Sequence, residues 1–174
     1  MRVFVVGLSK SGKSSRCEHA AATLKSVEHV TVSQMLRVAG GVFPVRTFND
    51  AMFNQRLAAE ELSALPNTVG HRLIDGHALI ETEEGPLIVP DWFYDQLAPD
   101  LIINIFNRPE DVLARRPAMK GQAALAEIAA LTTIERGACE RAAARLGKPL
   151  IVMNAPLVQD FTGELRSRLT EPSD

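Results

Sequence analysis

Eight residues near the start of the chain, Gly7-Leu8-Ser9-Lys10-Ser11-Gly12-Lys13-Ser14, match the spacing G-x-x-x-x-G-K-[ST] without a gap. The pattern suits a loop that curls its backbone N–H groups inward onto phosphate oxygens, which glycine permits at the tightest points. A helix opening at Ser14 adds the positive end of its dipole. The Lys13 ammonium suits the β- and γ-phosphates of a nucleoside triphosphate, and the Ser14 hydroxyl suits Mg²⁺. Gly7 to Ser15 are thus the expected nucleotide-binding residues. A chance match of four fixed positions falls in roughly one chain in a hundred or fewer, and here an apolar strand precedes the loop, as the chemistry requires.

Other candidates are less local. Asp75 ends the apolar segment Arg72-Leu73-Ile74-Asp75, a place from which a carboxylate can orient Mg²⁺ through water. The competing reading is a turn aspartate before Gly76. His77 reads as a core or surface histidine ahead of a substrate contact. Arg115, Arg116, Lys120 and Arg136 flank or occupy the break Pro117–Gly121. They are either a solvated cluster or cations for a migrating phosphoryl group, which needs positive charge as its oxygens gain negative charge. Arg46 reads as a surface residue ahead of a contact to an acceptor phosphate. The four histidines have no metal-ligand spacing, so no zinc site is expected.

The chain's 174 residues suit one domain, and 46% hydrophobic against 23% charged residues suits an ordered core. A net charge of −2 weighs against a nucleic-acid or anionic-membrane footprint. Cys17 and Cys139 form no Cys-x-x-Cys pattern, so a reduced, cytoplasmic setting is expected. The early apolar run ends at Gly7, so no signal peptide is expected, and no apolar run is long enough for a membrane span.

These residues need elements to position them. Val3–Val6, Val27–Val32, Arg72–Asp75, Leu101–Phe106 and Leu150–Met153 read as strands. Ser14–Lys25, Gln34–Ala39 capped by Ser33, Asn49–Leu65 capped by Asn49 or Asp50, Pro109–Arg116, Gln122–Leu146 and residues 160–169 read as helices. Residues 79–89 read as a hairpin around Glu83-Glu84-Gly85, a short helix runs from Pro90-Asp91 to Leu97, and Glu171–Asp174 reads as a frayed tail. The alternation predicts a three-layer α/β fold with a mainly parallel sheet, in which Gly7, Asp75 and Asn107 meet beyond the strand ends.

The order of motifs resembles the small P-loop nucleoside monophosphate kinases, most closely the archaeal-type adenylate kinases. The resemblance rests on the phosphate loop, on Leu73-Ile74-Asp75-Gly76-His77-Ala78-Leu79-Ile80, on the Gly85 hairpin, and on Pro90-Asp91-Trp92 through Leu97-Ala98-Pro99-Asp100-Leu101-Ile102-Ile103. It implies a five-stranded sheet, ATP with Mg²⁺, an acceptor-binding helical segment at about 34–65 and a small lid at about 115–125. It also implies that Lys13, Arg115, Arg116 and Arg136 stabilise γ-phosphoryl transfer from a nucleotide donor to a small-molecule acceptor, while Ser14 and Asp75 hold the metal. Relatives of this type are commonly oligomeric, so a homo-oligomer stays open, as does ATP or GTP as donor. Residues 34–65 lack a recognisable match, and Pro117–Gln122 supplies Lys120 where the family carries further arginines.

Three functions follow. The first is transfer to a nucleoside monophosphate, whose phosphate needs no strong base. The second is transfer to a hydroxyl of a metabolite or a nucleic-acid 5′ end, with Asp75 or His77 near the acceptor as base. The third is nucleotide binding for regulation with little catalysis.

Overall fold

An apolar run of four residues leaves a strand no polar face, so Val3–Val6 must be covered on both sides. In the computed structural model, which describes residues 1–66, 70–116 and 119–169, β1 (Arg2–Val6) is the central strand of a five-stranded sheet. It pairs in parallel with β3 (His71–Asp75) on one side and β6 (Leu101–Phe106) on the other. β2 (Val27–Thr31) and β7 (Leu150–Asn154) complete the order β2-β3-β1-β6-β7, every pair parallel.

The strand period of two sends alternate side chains to opposite layers. Phe4, Val6, Ile74 and Ile102 face one core, whereas Val3, Val5, Leu73, Leu101 and Ile103 face the other. The first core is closed by α2 (Val32–Ala39), α3 (Phe48–Ala64), α4 (Asp91–Leu97) and α6 (Gly121–Leu146). The second is closed by α1 (Lys13–Thr23) and α7 (Val158–Arg168), through Cys17, Ala20, Phe161 and Leu165. This is the expected three-layer P-loop architecture. Trp92, Phe93 and Tyr94 pack edge-to-face or tilted with one another or with Phe4, so they are core residues.

The hairpin forms as expected, from β4 (Leu79–Thr82) and β5 (Gly85–Ile88). A satellite core of Leu8, Leu79, Val112, Ile128 and Leu131 joins it to the phosphate loop, to α6 and to α5 (Pro109–Ala114). Of the segment 115–125 expected as a lid, residues 121–125 begin α6, and 117 and 118 lie outside the described residues. The expected frayed tail lies outside them too.

Two helix starts differ from expectation. Ser33 lies inside α2, because β2 runs directly into the helix and Thr31, paired with Asp75, takes the N-cap position. α3 is capped not by Asn49 or Asp50 but by Thr47: its hydroxyl accepts from the Asp50 N–H at 3.1 Å, and Asp50 accepts from the Thr47 N–H at 2.9 Å. That reciprocal pair satisfies two otherwise orphaned donors.

Candidate functional site

The loop between β1 and α1 is shaped by two glycines. A Cβ on Gly7 would stand 2.1 Å from the Ile105 carbonyl oxygen, so only glycine lets the loop lie this close to β6. Gly12 has φ +89°, a left-handed conformation that turns the chain into α1. Between them the Ser11 N–H donates to the Leu8 carbonyl at 3.0 Å, while the buried Ser11 hydroxyl has no partner among the described residues.

Lys13, 5% exposed, lies across the loop and donates to the carbonyls of Gly7 at 2.6 Å and Leu8 at 3.1 Å. Burial lowers its pKa, and the charges of Asp75 and Glu135 partly restore it. The Ser14 hydroxyl donates to Asp75 Oδ2 at 2.5 Å. Burial alone would raise the Asp75 pKa, but His29, Lys13 and Ser14 outweigh it and hold the carboxyl below its ordinary range. One hydroxyl and one ionised carboxylate suit Mg²⁺, which is held by few protein oxygens together with phosphates and water. The described residues contain no cluster of three His, Cys, Asp or Glu for a metal held by protein alone. The loop, its orphaned hydroxyl, the lysine and this oxygen pair fit a magnesium–triphosphate group.

Ser9, Lys10, Gly12, Lys13, Ser14 and Ser15 line a cavity of about 800 Å³, whereas Gly7, Leu8 and Ser11 form the loop's buried underside. Arg115 reaches this loop, its Nη1 donating to the Lys10 carbonyl at 3.2 Å. Arg116 also reaches it, donating to the Ser9 carbonyl at 3.0 Å while forking onto Glu81 with two 2.8 Å bonds. Arg136 does not: it faces outward on α6 and pairs with Glu140 at 3.1 Å. A helix advances about 100° per residue, so the inward position belongs to its neighbour Glu135. Lys120 is exposed. Arg46 pairs with Glu83 at the surface, and Asn107 accepts from the Arg108 N–H rather than lining the cavity.

His77 Nδ1 lies 2.8 Å from the Gly7 carbonyl. A carbonyl can only accept, so Nδ1 carries the proton and Nε2 is the acceptor. Burial, reinforced by the Lys13 charge, lowers its pKa to about 3, so the ring is neutral near pH 7.

Four groups escaped the sequence reading. His29 stands 3.7 Å from Asp75, a proximity set by the β2–β3 register. Glu135, 2% exposed, accepts from the Ala78 N–H at 3.2 Å, and burial raises its pKa to about 7. It was legible: Ile128, Leu131, Glu135, Ala138 and Ala142 form one buried stripe at helical spacing, and a carboxyl in such a stripe signals a role. Gln55 on α3, 5% exposed, lines the cavity, and its side chain makes no hydrogen bond among the described residues. Arg37 on α2 lines it too, its guanidinium 4.1 Å from the Phe43 ring centre and without a carboxylate partner among the described residues. Asn54 fixes the wall beside them, exchanging hydrogen bonds with the Val42 backbone at 2.8 and 2.9 Å.

Among curated proteins, none matches. The fold is similar to that of shikimate kinase from Acinetobacter baumannii in complex with shikimate: TM-score 0.63, 16% identity, covering 97% of this chain and 92% of that one. It is similar to shikimate kinase from Aquifex aeolicus, with TM-score 0.60, 20% identity, and coverage of 97% and 96%. A sugar kinase from Janibacter sp. HTCC2649 gives TM-score 0.57, 18% identity, and coverage of 95% and 92%. A family profile described as AAA domain matches residues 6–134, which include the whole phosphate loop, Asp75 and both loop-facing arginines. With that match spanning well over half of its length, the chain belongs to the AAA domain family of P-loop proteins.

Proposed function

We propose that this protein is a Mg-ATP-dependent kinase that moves the γ-phosphoryl group to a small acceptor already carrying a phosphate, a nucleoside monophosphate being the leading candidate. The observation that carries this reading is the reach of the cavity. From Lys13, Ser14 and Asp75 it extends to Arg37 and Gln55, a cation and an amide that the described protein leaves without hydrogen-bond or ion-pair partners. An unpaired guanidinium suits a phosphate dianion, and an amide presents the donor and acceptor that a base edge needs.

The groups that would serve as general base are occupied or weak. Asp75 is ionised but accepts from Ser14, and His77, although it keeps Nε2 as an acceptor, has its pKa lowered by burial to about 3. A phosphate acceptor needs no base: positioning and charge neutralisation by Lys13, Arg115 and Arg116 suffice. Arg136 has no part in this arrangement. The resemblance of the sequence to archaeal-type adenylate kinases points the same way. Both cysteines are buried and free, and no described helix is long and apolar enough to cross a membrane, features that suit the cytoplasm.

A hydroxyl acceptor is the second reading, favoured by the fold similarity to proteins named shikimate kinase and sugar kinase. ADP release measured across nucleoside monophosphates, shikimate and simple sugars separates the two. We expect turnover with at least one nucleoside monophosphate, and an acceptor KM about tenfold higher in Arg37→Ala, the scale of one lost charge-assisted bond. Turnover confined to shikimate or a sugar would overturn the phosphate-acceptor reading.

A further inference from the structure

Arg16 lies two residues beyond the phosphate-loop motif, in the first turn of α1, and faces the same cavity. Its Nε donates to the Pro156 carbonyl at 2.6 Å and its Nη1 to the Gly12 carbonyl at 2.8 Å. The side chain therefore ties the phosphate loop to the turn between β7 and α7, itself held to β6 by the Ala155 N–H bond to Phe106. Arg115 comes to the same spot from α5. The Nη1 atoms of Arg16 and Arg115 lie 2.4 Å and 3.5 Å from the point where a Gly12 Cβ would stand, so they are within about 6 Å of each other.

Two guanidiniums this close repel, and among the described residues neither has a carboxylate partner. Protein carbonyls satisfy some N–H donors but leave the paired positive charge uncompensated. An arrangement of this kind is stabilised by an anion lying between the two forks. The site also adjoins Gly12 and Lys13, where a triphosphate would lie.

We propose that Arg16 and Arg115 form a two-guanidinium clamp on the phosphate chain of the nucleotide donor, with Arg16 as its fixed jaw. The inference rests on the nucleotide-binding reading above. Arg16 then contributes to the donor side only, and the acceptor side is indifferent to it.

The test is calorimetric titration of Mg-ADP and of magnesium tripolyphosphate into wild type, Arg16→Gln and Arg16→Lys, with thermal melts confirming that each is folded. Glutamine keeps a donor for the Pro156 carbonyl but loses the charge, whereas lysine keeps the charge without the fork. Arg16→Gln is expected to weaken both ligands about tenfold and to lower the salt dependence of Kd, with Arg16→Lys falling between it and wild type. In the ADP-release assay the acceptor KM stays unchanged. Tripolyphosphate affinity within twofold of wild type in Arg16→Gln overturns the clamp, as does a loss confined to Mg-ADP, which would make Arg16 a tether for the turn. Those results leave the nucleotide-binding reading standing, whereas wild type that binds neither ligand removes both.

Discussion

The two ends of the cavity are built differently. At the phosphate end, polar side chains are tied back onto the protein: Lys13 to Gly7 and Leu8, Ser14 to Asp75, Ser15 to Gly12, and Arg115 and Arg116 to Lys10 and Ser9. At the far end, between α2 and α3, Arg37 and Gln55 face the same space, Arg37 resting on the Phe43 ring, and neither side chain has a hydrogen-bond or ion-pair partner among the described residues. The first end is built around one continuous stretch of chain, Gly7–Ser15, whose shape is fixed by two glycines and a β-strand. The second is assembled from helices joined by a loop, and its side chains can change without disturbing either core. A rigid end for the shared ligand and an adaptable end for the variable one is the division expected of an enzyme that uses a common phosphoryl donor.

Substitutions can break or sharpen that contrast. The largest effect is expected at Lys13. Lys13→Ala should lower kcat by about 10³-fold, the scale of losing a preorganised cation at the migrating charge, with the acceptor KM little altered. Steady-state kinetics checks this, and near-normal turnover would mean that the transferring groups lie elsewhere. Arg37→Ala, with its tenfold rise in acceptor KM, should mirror it by sparing the affinity for Mg-ATP. If both affinities fall together, the cavity behaves as one site and the contrast fails.

A further effect, on stability rather than turnover, concerns what lies beneath both ends. Glu135 keeps its proton to about pH 7 in the folded protein, against 4.5 for the unfolded carboxyl. Its contribution to stability is therefore complete below pH 4.5 and lost as pH rises through 7. At full strength that is about 3 kcal/mol. Urea titrations of wild type should show stability falling from pH 5 to pH 8 relative to Glu135→Gln, which has no proton to lose. Parallel pH profiles would show that Glu135 titrates normally. Asp75 has the opposite sign: its depressed pKa gives stability that is present near neutrality and lost in acid.

The phosphate end was legible because its chemistry is contiguous. Gly7, Gly12, Lys13 and Ser14 sit at fixed spacing, and an apolar strand before them with a helix behind them follows from local pattern alone. The sheet was legible for the same reason: Val3–Val6 and Leu101–Phe106 have no polar face. What escaped depends on register and helix phase. Arg136 and Glu135 are adjacent, and an error of one position on α6 exchanges an outward arginine for an inward carboxyl. His29 meets Asp75 only through the pairing of β2 with β3, and Arg37 and Gln55 meet only when α2 and α3 fold against each other. The Thr47 cap was readable, since Thr-x-x-Asp precedes the apolar stripe, but Asn49 and Asp50 are also good caps and masked it.

All of this depends on residues 7–15 and Asp75 gripping a magnesium–triphosphate group, and calorimetric titration of ATP with and without Mg²⁺ tests that most directly. Saturable one-to-one binding with Mg²⁺, clearly weakened when EDTA removes the metal, is the predicted result. No heat from any Mg-nucleotide, or binding indifferent to the metal, would contradict it.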